Sequence, residues 1–416
     1  MSRPYKIKRT KYTGPIKSRP HPLFVALIVL AVLGLGYLGF LSYEPIYNAV
    51  MNRDKPHSPS SQPSVPPQPA ETSAPQQPEE APPLTPEPAS AAKLQAVYLP
   101  PALIGNPTAL DAFLEGLKAT SLNSVMVDLK DKSGRVLFAS QNNQALEWQA
   151  VAADAPDLSA FARRLKEQGL FLMVRISGFQ DETAARGNKE LAVNYRAPGT
   201  LWLDNFQNQG GKPWLNPYTP GARQYLLELA LEAADCGAAL VVLDDLCFPP
   251  NSLTGDAYFG ETGGLSRGEV LAKFSGQVQE ALSKQGARSA VYLTAATLAG
   301  EPNPTLYGGP AAEIAADQVL LEALPYQFFD GYTTPKFTLR RPLENPADTV
   351  KEVVGFARLE LGDREIIPLI QGGGEPSGVV YTPEEIAQQV KTLKDLGLEE
   401  YVLYCSDYTA YLLPPK

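Results

Sequence analysis

A closed barrel of eight parallel strands with helices outside it, a (β/α)8 (TIM) barrel, is the α/β fold class that residues 93–416 predict. Three observations carry it. Short apolar runs alternate with amphipathic segments from Leu94 onward, the runs number eight, and about 320 residues is a length that one such barrel readily takes.

The strands are expected at 94–99 (LQAVYL), 124–129 (SVMVDL), 170–176 (LFLMVRI), 239–245 (ALVVLDD), 290–296 (AVYLTAA), 318–324 (QVLLEAL), 366–371 (IIPLIQ) and 401–406 (YVLYCS). Between them, helix-like segments run over Thr108–Ala119, Leu158–Gln168, Pro220–Ala234, Ser266–Lys284, Pro346–Leu361 and Pro383–Leu396. Pro220 near the start of its segment suits a helix N-terminus, where a missing N–H costs nothing. A doubly wound open sheet is the alternative. No G-x-G-x-x-G follows the first strand, so a dinucleotide-binding version of that sheet gains no support.

The barrel is preceded by three segments of different character. Residues 1–22 carry seven basic side chains, from Arg3 to Arg19, and no acid. Residues 23–43 are expected to form a transmembrane helix: Leu23–Leu41 is free of charge, and its 19 residues at about 1.5 Å each span roughly 28 Å, close to a hydrocarbon core. A cleaved signal peptide is the alternative, but the apolar run is longer than such regions usually are and no clear A-x-A site follows. The basic tail places the N-terminus in the cytoplasm and the C-terminal bulk outside. Residues 44–92 form a linker rich in Pro, Ser, Gln and Glu, with too few large apolar side chains to offset the entropy of ordering. Proline stiffens it into a spacer of at most ~120 Å.

Charge and rare residues narrow the chemistry. The net charge is −9, and outside the basic tail 29 basic residues face 45 acidic ones, so the barrel is a poor partner for nucleic acid. Both histidines, His21 and His57, lie outside the barrel, which leaves it without a His-based zinc site or a Ser–His–Asp triad. The three cysteines, Cys236, Cys247 and Cys405, have no metal-ligand spacing, and whether two of them pair stays open. No metal or organic cofactor is implied. Catalysis, if present, belongs to carboxylates, Lys, Tyr or Ser.

In a barrel the strand interiors are packed core, and the C-terminal strand ends with their loops build the site. Buried polar groups left unpaired there cost several kcal/mol, so acids at those ends call for a reason. They are Asp128, with Lys130 and Asp131 beyond it, then Asp244 and Asp245, and Glu322; Arg175 and Gln371 accompany them. Asp244 and Asp245 are successive strand residues, so one of the two should face the mouth. Asp244 is the candidate nucleophile or charge stabiliser, and Glu322, or else Asp128, the candidate general acid. Lys130, Asp131 and Arg175 are candidate binding groups, although a turn or a structural ion pair would explain them as well. Among the aromatics after the third strand, Trp202 and Trp214 are the candidates for stacking on sugar faces.

These residues resemble a glycoside-hydrolase family of bacterial surface proteins, long catalogued as a domain of unknown function and related to the alpha-amylase-like barrels. The likeness covers most of residues 93–410: hydrophobic–Asp–x–Lys–Asp is met by Asp128, Lys130 and Asp131, Arg–Ile by Arg175 and Ile176, and Asn–Pro–Tyr by Asn216, Pro217 and Tyr218. The strand-four element Phe–Asp–Tyr–x–Arg–Phe–Pro corresponds to LDDLCFP, with Asp245 at the tyrosine position and Cys247 at the arginine position. After the fifth strand the family's acid is missing from TAATLAG, and at the seventh Gln371 is followed by Gly372. The resemblance implies hydrolysis of a glycosidic bond in a wall or surface polysaccharide, with Asn216, Tyr218, Asp245 and Gln371 added to the binding residues. The missing acid leaves an alternative, a barrel that has lost catalysis and binds glycan or a wall-assembly partner.

Overall fold

The computed structural model describes residues 93–250, 256–300, 306–315, 318–374, 378 and 380–414. The expected basic tail, membrane span and linker lie outside the described residues. Among the described residues no helix is long and apolar enough to cross a membrane.

Eight strands close into a parallel barrel in which each pairs with its neighbours in sequence and the last pairs with the first. They are β1 (Gln95–Tyr98), β2 (Ser124–Lys130), β3 (Phe171–Ser177), β4 (Ala238–Asp244), β5 (Arg288–Thr294), β6 (Gln318–Glu322), β7 (Glu365–Gln371) and β8 (Tyr401–Tyr404). Closure between β1 and β8 aligns Gln95 with Tyr401 and Val97 with Leu403. Each expected strand is present, and an open sheet is excluded.

The long helices are α1 (Pro107–Leu117), α2 (Leu158–Glu167), α3 (Pro220–Asp235), α4 (Arg267–Lys284), α5 (Pro346–Leu361) and α6 (Pro383–Asp395). Their starts follow local chemistry. Asn106 and Asp157 accept from backbone amides three residues on, while Ser266 with Glu269 and Thr382 with Glu385 form reciprocal capping boxes. Between β5 and β6 no long helix is found among the described residues, which include a short helix, Ala295–Leu298, and a 3-10 turn, Ala311–Ile314.

The pleat sorts side chains into two cores. One lies between strands and helices and includes Val97, Val127, Val174, Val241, Val291 and Val319. The other fills the barrel with Ala96, Met126, Met173, Val242, Ala290, Leu320, Leu369 and Val402. Two residues beyond each of these, on the same face, stand Tyr98, Asp128, Arg175, Asp244, Tyr292, Glu322, Gln371 and Tyr404. That ring of polar and aromatic side chains tops the packed interior. All three cysteines are free thiols.

Candidate functional site

The site begins with a charge cluster on β2, β3 and β4. Arg175 donates from Nε and Nη2 to the two oxygens of Asp128, at 2.6 and 3.1 Å. The Tyr98 hydroxyl donates to Asp128 Oδ2 at 2.7 Å, so that carboxylate is met from two strands. Arg175 Nη1 also lies 3.8 Å from Asp244 Oδ2. Burial works against the guanidinium charge, but the charge and hydrogen bonds of Asp128, joined by the charge of Asp244, hold Arg175 protonated well above its ordinary range. The Tyr98 hydroxyl is pushed up by burial and by the Asp128 charge, so it remains a donor.

Asp244 is buried, and its carboxyl is raised to about 6, chiefly by that burial and then by the charge of Asp245. Arg175, Lys132 and the Asp245 amide, which donates to Asp244 Oδ1 at 2.7 Å, act in the opposite direction. A carboxyl titrating there can hold a proton close to neutral pH, as a general acid must.

Asp245 departs from strand alternation. Its φ is +48°, in the left-handed region, where Asp is among the better-tolerated side chains. The turn brings its carboxylate to the Ser177 hydroxyl at 2.7 Å and to Lys132 Nζ at 3.2 Å. Both acids of the pair therefore lie at the barrel mouth, where alternation alone predicts one. Gly178 secures the turn by donating its N–H to the Asp244 carbonyl at 2.7 Å; a Cβ at Gly178 would stand 3.0 Å from that oxygen.

Across the mouth Glu322 accepts a hydrogen bond from Tyr292 of β5. Burial raises the Glu322 carboxyl, opposed by the Tyr292 hydroxyl and then by Lys132 and Arg175. These shared influences bring Asp244, Glu322, Arg175 and Lys132 into one electrostatic neighbourhood. Its walls are tyrosines: Tyr98 stacks on Tyr404 with centroids 5.0 Å apart, Arg175 lies over Tyr98, and Tyr292 and Tyr326 pack against the same interior cluster.

The structure thus brings together Asp128, Arg175, Asp244, Asp245 and Glu322. It does not bring Lys130, Asp131, Trp202, Trp214, Asn216 or Tyr218 to them, and Gln371 stands in the same ring but without exposure. The chain bulges between Asp128 and Lys130, which turns Lys130 outward to a fully buried ion pair with Asp181 at 2.8 Å. Asp131 accepts from the amides of Ser133 and Arg135, an ordinary turn role. Trp202 is buried in the outer core, and Trp214 is buried with its Nε1–H donated to Asp204 at 3.0 Å. Asn216 spans the Phe259 carbonyl and the Tyr218 amide, while the Tyr218 ring packs on Phe248 and Phe259. Gln371 is fully buried and donates to the Gly373 carbonyl at 2.8 Å. Sequence reasoning missed Lys132, Ser177 and the tyrosines Tyr98, Tyr292 and Tyr404. The signal was available for the tyrosines: each sits two places beyond an interior residue of its strand. Among the described residues no group of three His, Cys, Asp or Glu side chains is placed to hold a metal.

Residues 96–409, nearly the whole barrel, match the family described as "Putative glycosyl hydrolase domain". The chain belongs to this family. No curated protein sequence matches the chain. Among solved structures, this glycosyl hydrolase-type barrel is similar to the glycoside hydrolase domain of PgaB (BpsB) from Bordetella bronchiseptica, 17% identical over 75% of this chain and 94% of that one, with a TM-score of 0.52. A hypothetical protein from Ruminiclostridium thermocellum is 25% identical over 47% of this chain and 96% of its own, with a TM-score of 0.41. A chitinase from Chromobacterium violaceum is 14% identical over 76% and 94%, with a TM-score of 0.44. The likeness to the Bordetella domain is one of fold.

Proposed function

We propose that the protein hydrolyses glycosidic bonds in a cell-wall or surface polysaccharide, from a membrane anchor that holds the barrel outside the cytoplasm. The observation that carries the reading is the pair Asp244 and Glu322, two carboxyls on nearby strand ends sharing one mouth with Arg175 and a wall of tyrosines. Such hydrolysis needs one carboxyl to give a proton to the leaving oxygen and another to act as base or nucleophile. Asp244, raised to about 6 beside the charge of Asp245, suits the proton donor. Burial raises Glu322 as well, but its hydrogen bond from Tyr292 favours the charged form and suits it to the charged role. This division reverses the roles expected from strand order alone. Asp128 is held by Arg175 and Tyr98 and serves the site as a fixed anion that orients the guanidinium. Tyrosine rings give apolar faces for the C–H surface of a sugar, with hydroxyls at their edges. The charge-free stretch at 23–41 behind a basic tail supports the tether, and the proline-rich linker supports reach into a wall.

Release of reducing ends from a panel of wall and capsular polysaccharides tests the proposal, with Asp244→Asn as control. Turnover by the parent that the variant lacks supports it. Glycan retained without turnover by both proteins overturns it in favour of a binding barrel.

A further inference from the structure

The fifth strand lacks the acid that the family resemblance leads one to expect, yet it is not silent at the mouth. Its interior residue Ala290 is small, and two places on Tyr292 reaches from the same face to the Glu322 carboxylate on β6. The two strands are adjacent and in register, with Tyr292 opposite Leu320 and Thr294 opposite Glu322. The tyrosine therefore leans one pleat up the barrel to meet the acid of its neighbour. The Tyr292 ring also lies 6.0 Å from the Arg175 guanidinium, between the Asp244 and Glu322 strands.

We propose that Tyr292 is a positioning residue that fixes Glu322 as the charged member of the catalytic pair and so leaves proton donation to Asp244. This rests on the glycosidase reading of the same mouth. The two acids have unequal partners. Glu322 receives a phenolic O–H, and a hydrogen bond to the charged form of a carboxyl favours that form. Asp244 receives the backbone amide of Asp245, whose own carboxylate stands beside it with the opposite effect, and has Arg175 Nη1 at 3.8 Å from its Oδ2. The other charged groups facing the pair are Arg175 from β3 and Lys132 from the loop after β2, and both favour the charged form of either acid. Arg175 stands closer to Asp244, as an ion pair at 3.8 Å, whereas the hydrogen bond from the Tyr292 hydroxyl goes to Glu322 alone of the pair. Burial keeps the phenol itself well above its ordinary range, so it donates throughout the working pH.

The test is Tyr292→Phe in the full chain, which keeps the ring and removes one oxygen. Carbon-13 carboxyl titration of glutamate-labelled protein, with Glu322→Gln to assign the signal, reads Glu322 directly. The expected result is a midpoint for Glu322 higher by about one pH unit, the scale of one charge-assisted hydrogen bond. The acidic limb of the rate profile moves up with it, and the alkaline limb stays in place. A Glu322 midpoint unmoved in the variant overturns the proposal, as does a fall in rate with neither limb displaced. If the parent turns over no glycan, the hydrolase reading fails while the carboxyl titration still decides the role of Tyr292.

Discussion

Arg175 grips Asp128 through two parallel hydrogen bonds, and both side chains are largely withdrawn from solvent, 16% and 12% exposed. The pair spans adjacent strands in register, Asp128 opposite Arg175, so it ties β2 to β3 at the mouth. Breaking such a pair from one side leaves a charge with no counterpart in a poorly solvated place. Arg175→Ala is expected to lower stability by about 3–5 kcal/mol in denaturant unfolding. Arg175→Lys keeps the charge but loses the planar fork, and falls between the two.

Lys130 and Asp181 make the second test of buried charge, and here no catalytic consequence is expected. Neither side chain is exposed, and Asp181 also caps the helix at Glu182–Gly187 through the Ala184 amide. Lys130→Ala is expected to cost about 3–5 kcal/mol. Activity per folded molecule should stay within about twofold, because Lys130 faces away from the mouth. A large loss of rate without loss of stability would show that Lys130 reaches substrate.

Asp244 links the site to pH. Its folded-state value of about 6 lies above the ordinary 3.8, so the native state holds this proton more tightly than the unfolded chain does. The stabilising contribution is complete below about pH 4 and is lost as pH rises through 6. Two units correspond to roughly 3 kcal/mol. Asp244→Asn, which mimics the protonated form but cannot give up a proton, is therefore expected to lose its rate on the polysaccharide yet be more stable than the parent above pH 7, by up to about 3 kcal/mol. The difference should vanish near pH 4. Equal stability at both pH values would show that Asp244 is not raised.

Lys132 is 62% exposed and pairs with Asp245 at 3.2 Å. Lys132→Met is expected to change stability by less than about 0.5 kcal/mol, since solvent screens so exposed a pair. Its electrostatic effect is different: removing a cation that favours ionised Asp244 moves the alkaline limb of activity upward in pH. Added salt should shift the parent in the same direction and the variant less.

Much of this architecture was legible in the residues themselves. Apolar runs set the eight strands, and barrel geometry named the strand ends as the place to look, which found Asp128, Arg175, Asp244 and Glu322. Two kinds of signal were hidden. The first is irregular backbone: the bulge after Asp128 turns Lys130 to the outer face, and the left-handed turn at Asp245 brings its carboxylate to Ser177. Alternation cannot foresee either. The second is the dual use of aromatics. Trp202 and Trp214 look like sugar platforms in a long loop, yet the loop spends them on its own packing. Tyr98, Tyr292 and Tyr404 look like core residues inside apolar strands, yet they stand in the interior layer that also carries the acids.

In the proposed division of labour Asp244 gives the proton and Glu322 carries the charge. Rates of Asp244→Asn and Glu322→Gln on the native polysaccharide and on a dinitrophenyl glycoside of the same sugar, whose leaving group needs no proton, test it most directly. Asp244→Asn should lose about 10²–10⁴-fold on the polysaccharide and keep most of its rate on the activated glycoside, while Glu322→Gln loses both. The reverse pattern, with Glu322→Gln rescued by the activated leaving group and Asp244→Asn inactive on both, would contradict the account.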